Sequence, residues 1–260
     1  MEYDVGEVLE TAMEAGHILL ESGAEIFRVE DTMKHISRHF GVEATEENFF
    51  VLSNGIFTTG HKNGREFAKI QHIPVHGARL SKVVAINQLS REIEQGKYTL
   101  DEVRERLKEI RALPEKPKPL QILASGLGAA AFSYMLGGSL TDAGAALLAG
   151  LLLHVFVLFV SLPHMSKIIG NICGGALVTV VCALCHGLGF GDSLSHMIIG
   201  SIIPLVPGVA FTNGIRDIAD GDYISGAVRL LDAVLVFLCI AIGVGLVFTV
   251  YRRISGGALL

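Results

Sequence analysis

The chain has 260 residues, a formal net charge of −5 at pH 7 and a mean hydropathy of +0.50. Its charge is unevenly distributed, because 36 of the first 119 residues are Asp, Glu, Lys or Arg but only 11 of the last 141 are. This division excludes a single soluble fold, a disordered chain and a secreted disulfide scaffold. The acidic balance, without a basic stripe, also argues against a nucleic-acid partner.

Residues 1–112 predict a small soluble α+β domain. Apolar residues recur at helical spacing up to a Ser-Gly stop at 22–23, and an Asn-Gly turn at 54–55 follows a β-rich run. Thr99 and Glu102 have the spacing of a capping box. The predicted elements are helices over about 5–22 and 26–41, strands over 48–53, 56–60 and 65–73, and helices over about 78–95 and 99–111.

A linker and a membrane domain are predicted after it. Residues 113–119 alternate three prolines with charged residues and indicate a short stiff linker. Residues 120–253 predict an α-helical integral membrane domain, because each apolar run is near the ~20 residues that cross the hydrocarbon. Dense Gly and Ala predict close helix packing, and the four cysteines are interpreted as small buried hydrophobes. The five predicted spans are about 120–138, 142–162, 168–188, 193–212 and 224–251.

Lysines and arginines beside the spans predict the orientation. Lys116 and Lys118 precede the first span, and alternation of five spans puts Lys167 and Arg216 on the same side. Because cytoplasmic loops are enriched in Lys and Arg, the N-terminal domain is predicted to be cytoplasmic. The two arginines at 252–253 oppose this orientation, since an odd number of spans places them outside.

The segment 204–232 holds the residues best suited to carry function. Pro204, Pro207 and Gly208 lie within the fourth apolar run and predict a broken helix. At membrane depth such a break is tolerated only where protein or a water-filled cavity satisfies the backbone. Thr212 and Asn213 add uncharged hydrogen-bonding groups just beyond it.

Charged residues follow in the next loop and in the fifth span. They are Arg216, Asp217, Asp220, Asp222, Arg229 and Asp232. An ionisable residue inside a span is costly unless it is paired or hydrated, and therefore indicates function. Three other interpretations stay open: a structural Arg229–Asp232 ion pair near the interface, a solvated turn at 220–222, and a metal-dependent membrane enzyme using the Asp217–Asp232 cluster. The soluble domain has no GxSxG, Walker or HExxH motif.

Short motifs along nearly the whole chain match a known family. They are LESGA at 20–24, FRVED at 27–31, PLVPG at 204–208, NGIRD at 213–217, Gly221-Asp222 and Ser225-Gly226. In this order, with a soluble domain before five spans, they make the chain resemble the threonine/serine exporter family. The likeness is to the larger component of its split, two-component form and covers about residues 5–252.

The resemblance implies a secondary exporter of threonine and serine or, in split relatives, of dicarboxylates such as succinate. It implies a prokaryotic cytoplasmic (inner) membrane location, no enzymatic activity, no cofactor and no metal. It also implies a smaller five-span companion subunit. Because five is odd, a second half of opposite orientation would complete the inverted repeat common in transporters.

These substrates all carry a carboxylate, which an Arg or an exposed helix N-terminus can bind. The predicted substrate-binding residues are Pro207, Gly208, Thr212, Asn213, Arg216 and Arg229. A carboxylate in a low-dielectric site can exchange protons near neutral pH, so the predicted proton-coupling residues are Asp217, Asp220, Asp222 and Asp232. The competing hypotheses are the metal-dependent enzyme and a membrane sensor or assembly protein.

Overall fold

A computed structural model describes residues 3–43, 47–62, 65–74, 77–161 and 164–254. The protein is mostly helical, with one small antiparallel sheet near the N-terminus. The chain forms two compact units, of which the first comprises Met1–Pro114 together with Gly208–Leu231. The second comprises Glu115–Pro207 and Asp232–Leu260.

The first unit begins with two helices, α1 (Val5–Glu21) and α2 (Ile26–His39). The predicted stop after α1 is confirmed, because Gly23 adopts a φ of 79°, which an L side chain rarely tolerates. Leu9, Met13 and Met33 are fully buried, so both helices contribute to the core of this unit.

Three strands form an antiparallel sheet in the order β1-β2-β3. They are β1 (Glu47–Leu52), β2 (Gly55–Lys62) and β3 (Arg65–His72). Ile56 pairs with Val51 across β1 and β2, and both side chains are buried. A Cβ on Gly16 of α1 would lie 2.4 Å from Met33 Sδ and 3.2 Å from Ile56 Cδ1, so helices and sheet meet where no side chain fits.

Helices α3 (Leu80–Glu94) and α4 (Leu100–Arg111) complete the N-terminal part. The predicted capping box is confirmed at the start of α4. Thr99 Oγ1 accepts from the Glu102 N–H at 3.5 Å, while Glu102 Oε2 accepts from the Thr99 N–H at 2.7 Å. Both groups satisfy N–H donors that a helix start leaves without intrahelical partners.

The second unit is built from apolar helices, and the last helix of the chain runs through both units. The helices after α4 are α5 (Lys118–Met135), α6 (Leu140–Phe156) with a π-helical continuation (Val157–Ser161), α7 (Lys167–Gly187), α8 (Leu194–Ile202), α9 (Gly208–Ala219) and α10 (Tyr223–Ile254). The core of the second unit includes Ala145, Leu153, Val178 and Cys182. All four cysteines are free.

Small residues mark the closest helix contacts of the second unit. A Cβ on Gly150 of α6 would lie 2.7 Å from the Cβ of Ala129 in α5 and 3.0 Å from the Ser125 carbonyl oxygen. A Cβ on Gly175 of α7 would lie 2.8 Å from the Ile240 carbonyl oxygen in α10. Helices α5 and α6, and helices α7 and α10, therefore pack closely through small residues at these positions.

Three helices of the described chain are long and apolar enough to cross a membrane: α6 with its π-helical continuation, α7 and α10. The bent pair of α8 and α9, interrupted between Leu205 and Gly208, makes a fourth if it counts as one span. The sequence predicted five spans, and α5 is the helix that falls short. It has 18 residues and begins with Lys118-Pro-Leu-Gln121.

Candidate functional site

The predicted break in the fourth apolar run is present. Pro204 lies in a 3₁₀ turn (Ile203–Leu205), Val206 and Pro207 lie outside any helix, and α9 begins at Gly208. Pro207 is half-buried, and Gly208 is exposed with no atom within 4 Å of an added Cβ. The first turn of α9 therefore presents N–H groups that have no partner within the helix.

Beyond the break, α9 and the start of α10 belong to the same compact unit as α1 and α2. Four of their polar side chains bind the α1–α2 junction (residues 22–26). Asn213 Nδ2 donates to the Gly23 carbonyl at 2.9 Å, and Arg229 Nη2 donates to the Ala24 carbonyl at 2.9 Å. Arg216 forms an ion pair with Glu25. Asp217 Oδ1 accepts from the Ile26 N–H at 3.4 Å. Each of the four consecutive junction residues 23–26 therefore has a partner on α9 or α10.

Asp217 and Arg229 form the buried centre of this contact. Arg229 Nη1 lies 3.3 Å from Asp217 Oδ2, and the two side chains are 11% and 2% exposed. Because Ile26 is the first residue of α2, the Asp217 carboxylate lies at the positive end of that helix. Burying two charges costs several kcal/mol per ion, so the pair depends on its mutual attraction and on these backbone partners.

Arg216 and Glu25 form the exposed edge of the contact. The Arg216 side chain is 56% exposed and the Glu25 side chain 20%. Glu25 occupies the N-cap position of α2, but its side chain makes no capping hydrogen bond. Its carboxylate is directed to the Arg216 guanidinium instead, and this ion pair is accessible to solvent.

Two glycines bring α9 and α10 into backbone contact. A Cβ on Gly226 would lie 2.8 Å from the Gly214 carbonyl oxygen and 2.9 Å from the Ile218 nitrogen. Asp217 lies three residues after Gly214, and Arg229 three residues after Gly226. The close crossing at the glycines therefore brings the two charged side chains together.

The remaining predicted residues of this segment lie around the turn between α9 and α10. Asp222 Oδ1 accepts from the Ser225 N–H at 3.0 Å, which is the arrangement of an N-cap on α10. Gly221 before it has a φ of 93°. Thr212 and Asp220 are exposed. The structure thus gives Asp222 a helix-capping contact, and proton coupling by Asp220 and Asp222 stays a prediction.

Asp232 belongs to a different ion pair from Arg229. Its carboxylate oxygens accept from Lys167 Nζ at 2.7 Å and 2.5 Å, and the side chains of Lys167 and Asp232 are 59% and 44% exposed. The alternative of a structural Arg229–Asp232 pair is therefore wrong, although the two residues are only three apart on α10. Arg229 is held within the first unit and Asp232 within the second.

Among the residues that the structure describes, buried polar atoms without a hydrogen bond occur at the α1–α2 junction, on α9 and on α10. Six buried side-chain N or O atoms of the described residues make no hydrogen bond, and three of them are Ser22 Oγ, Asp217 Oδ2 and Ser225 Oγ. Asp217 Oδ2 is close to Arg229 but lacks hydrogen-bond geometry. Buried polar groups are normally paired, so this contact retains unused hydrogen-bonding capacity.

The described part of the chain contains no group of three or more His, Cys, Asp or Glu side chains placed to hold a metal ion. Asp217 and Asp232, which the metal-dependent alternative would use together, each have a basic partner instead.

Comparison with known proteins identifies the family. A family model described as "Putative threonine/serine exporter" (ThrE) matches residues 10–251. The chain belongs to the threonine/serine exporter family. Two relatives carry the name "Probable succinate transporter subunit YjjP": one from Klebsiella aerogenes, 26% identical over 90% of each chain, and one from Escherichia coli K12, 24% identical over 94% of each chain. No solved structure matches the chain.

Membership of an exporter family makes the protein a transporter and not an enzyme, as the sequence predicted. Two of the motifs that carried the resemblance are neighbours in the structure, because Asn213 of NGIRD donates a hydrogen bond to Gly23 of LESGA. The sequence alone does not reveal that Glu25 is the partner of Arg216. No local pattern indicated it, since Glu25 and Arg216 are 191 positions apart.

Proposed function

We propose that the protein is one subunit of a secondary transporter that exports a small carboxylate-bearing solute in exchange for protons. The exported solute is threonine or serine, as the family description states, or a succinate-like dicarboxylate, as the relatives' names state. The observation that carries this proposal is the broken helix at Pro207 and Gly208. It is followed within 21 residues by two arginines, Arg216 and Arg229, beside the α1–α2 junction.

The proposal includes five membrane crossings with the N-terminal domain in the cytoplasm. Helix α5 would be the fifth crossing, since its 18 residues extend about 27 Å, close to the thickness of the hydrocarbon. Lys118 begins α5 and Lys167 begins α7, so alternate helices would start on the same, positively charged side. The membrane would be the cytoplasmic membrane of a prokaryote.

The length of α10 supports a position for the membrane boundary. Its 32 residues extend about 48 Å, which exceeds the hydrocarbon thickness of about 30 Å. The segment from Asp232 to Arg252 extends about 30 Å, with one charged residue at each end. We therefore infer that the hydrocarbon lies between these two residues. Arg229 would then lie just outside the hydrocarbon, on its cytoplasmic side, where a solute entering from the cytosol arrives.

A second, smaller subunit with five spans of opposite orientation would complete the transport pathway. The relatives' names call them transporter subunits, which supports a partner. In the described residues, most of the surface of the apolar stretches of α6, α7 and α10 is not buried by the chain itself. Such surface is available to lipid and to a partner subunit.

Within this proposal, the arginines and the broken helix bind the substrate carboxylate, with Asn213 and Thr212 contributing hydrogen bonds. Asp217 and Asp232 are the main proton carriers, and Asp220 and Asp222 are secondary ones. Asp217 Oδ2 is suited to this role because it is buried and makes no hydrogen bond.

The experiment is efflux from cells that lack endogenous exporters and are loaded with threonine-containing dipeptides or with succinate. The chain is expressed alone and with a five-span candidate partner, as wild type and as Arg216→Gln or Arg229→Gln. Arg252→Gln, at the other end of α10, is the matched control. We expect efflux only with the partner, abolished by an uncoupler and reduced at least tenfold in the two site variants. Undiminished efflux by Arg216→Gln would remove this site from the transport mechanism.

A further inference from the structure

The α1–α2 junction presents hydrogen-bond acceptors to the predicted substrate-binding side chains, as a carboxylate-bearing solute would. Glu25 presents a carboxylate to Arg216, and the Ala24 carbonyl oxygen accepts from Arg229. Asn213 donates to a third acceptor, the Gly23 carbonyl oxygen. The side chains proposed to bind substrate are therefore occupied by residues of the chain itself.

We propose that the junction acts as an internal pseudosubstrate, with the Glu25 carboxylate holding the place on Arg216 that the carboxylate of the transported solute takes. This inference rests on the proposed function and adds a regulatory step to it. Glu25 must leave Arg216 before a solute carboxylate binds there. An empty transporter would thus keep its binding arginine neutralised.

The two ion pairs of the contact differ in a way that assigns them different tasks. The Asp217–Arg229 pair is nearly fully buried, and Arg229 also donates to a backbone carbonyl, so this pair is shielded from an incoming solute. The Arg216–Glu25 pair is exposed to solvent on the arginine side and is the exchangeable one. Arg216 is therefore the arginine at which a solute carboxylate replaces a residue of the chain, whereas Arg229 keeps Asp217 as its partner.

The local chemistry of Glu25 favours its release. Its side chain makes no capping hydrogen bond with α2, although it occupies the N-cap position where a side-chain oxygen would normally accept one. Asp217, a second carboxylate, binds the first N–H of the same helix. Because Asp217 already satisfies that N–H, moving Glu25 away from Arg216 leaves the bond at the start of α2 in place.

The test measures binding of succinate and of L-threonine to the full-length chain purified in detergent. Glu25→Gln removes the competing charge and keeps the side-chain shape. An exposed ion pair typically contributes up to about a fivefold factor, so we expect Glu25→Gln to lower the apparent Kd of the bound probe about fivefold. Arg216→Gln is expected to abolish binding. Glu109→Gln is the matched control, since it breaks an exposed ion pair with Arg106 on α4, away from the α1–α2 junction.

A second variant covers the case in which Glu25→Gln folds poorly. Glu25→Asp keeps the charge but is one methylene shorter, so it is expected to shift the Kd in the same direction by a smaller factor. An unchanged or higher Kd in folded Glu25→Gln, with binding lost in Arg216→Gln, would overturn the pseudosubstrate while leaving the proposed function intact. Binding that survives in Arg216→Gln would contradict both. If folded Glu25→Gln binds neither probe, the pseudosubstrate is likewise overturned.

Discussion

Replacing Arg229 by Met is expected to destabilise the first unit far more than replacing Lys167 by Met destabilises the second. Both substitutions remove the cation of an Asp ion pair and keep an unbranched side chain. The pairs differ in burial, since Asp217 is 2% exposed while the Asp232 side chain is 44% exposed. The comparison therefore isolates the effect of burial on the strength of an ion pair.

The expected losses of stability follow from the partners that each carboxylate keeps after the substitution. After Arg229→Met, the Asp217 carboxylate keeps only the Ile26 N–H among the described residues, and the Ala24 carbonyl loses the Arg229 donor. Removing one partner of a buried pair costs about 3–5 kcal/mol. After Lys167→Met, water can solvate Asp232, so the cost is about 0–1 kcal/mol. Adding Asp217→Leu to Arg229→Met should recover part of the loss, because no buried charge then remains.

The assay is denaturant unfolding of the purified chain in mild detergent, followed by far-ultraviolet circular dichroism. Hydrogen exchange, read from peptides that contain Ile26, gives a local measurement. Arg229→Met should speed exchange in the first turn of α2, whereas Lys167→Met should leave it unchanged. Equal costs for the two single variants, or a double variant less stable than Arg229→Met, would show that burial does not set the strength of these ion pairs.

Two further predictions concern packing and pH. Gly226→Ala should cost about 1–3 kcal/mol, because the new Cβ would lie 2.8 Å from a backbone oxygen. Gly245→Ala on the same helix has no atom within 4 Å and should be neutral or stabilising by up to about 1 kcal/mol in the same unfolding assay. Burial, followed by the nearby Arg111, lowers the pKa of His17 below 6.5 in the folded chain. The unfolded chain therefore binds more protons than the folded chain as pH falls through 6.5, and the free energy of unfolding should decline there. His17→Gln should flatten this decline in unfolding measured between about pH 7.5 and 5.5. An equally steep decline in the variant would exclude His17 as its source.

Local patterns predicted the secondary structure of the N-terminal part well, because the signals act over a few residues. The Thr99 capping box formed as expected, and the Ser-Gly stop at 22–23 ended α1 with a positive φ at Gly23. The Asn-Gly turn joins β1 and β2 close to the predicted position. Each of these features depends on the dihedral preferences or hydrogen bonds of neighbouring residues.

The partners of the charged residues could not be predicted in the same way. Arg229 and Asp232 are three apart on one helix, which suggested a local pair. Tertiary packing assigned Arg229 to Asp217 through the crossing of α9 and α10 at two glycines, and assigned Asp232 to Lys167, 65 positions away. A spacing rule cannot reveal which distant carboxylate is buried beside an arginine.

Asp142 was missed for a related reason. Its spacing from Ser139 is that of a capping box, and that box is present at the start of α6. Its Oδ1 also accepts from the backbone N–H groups of Asp192 at 2.7 Å and Ser193 at 2.8 Å, so one buried carboxylate fixes the loop before α8. The capping box could be predicted from the spacing of Ser139 and Asp142, whereas the contact with a loop 50 residues away could not.

Helix α10 links the two kinds of ion pair. It is continuous from Tyr223 to Ile254, and its residues up to Leu231 belong to the first unit while those from Asp232 belong to the second. Arg229 is therefore held by a buried contact only one turn before Asp232, which is held by an exposed one. Separating Asp217 from Arg229 would leave two buried charges without a partner, whereas an exchange at Arg216 takes place at an exposed side chain. This difference in cost is why a solute should act first on the Arg216–Glu25 pair.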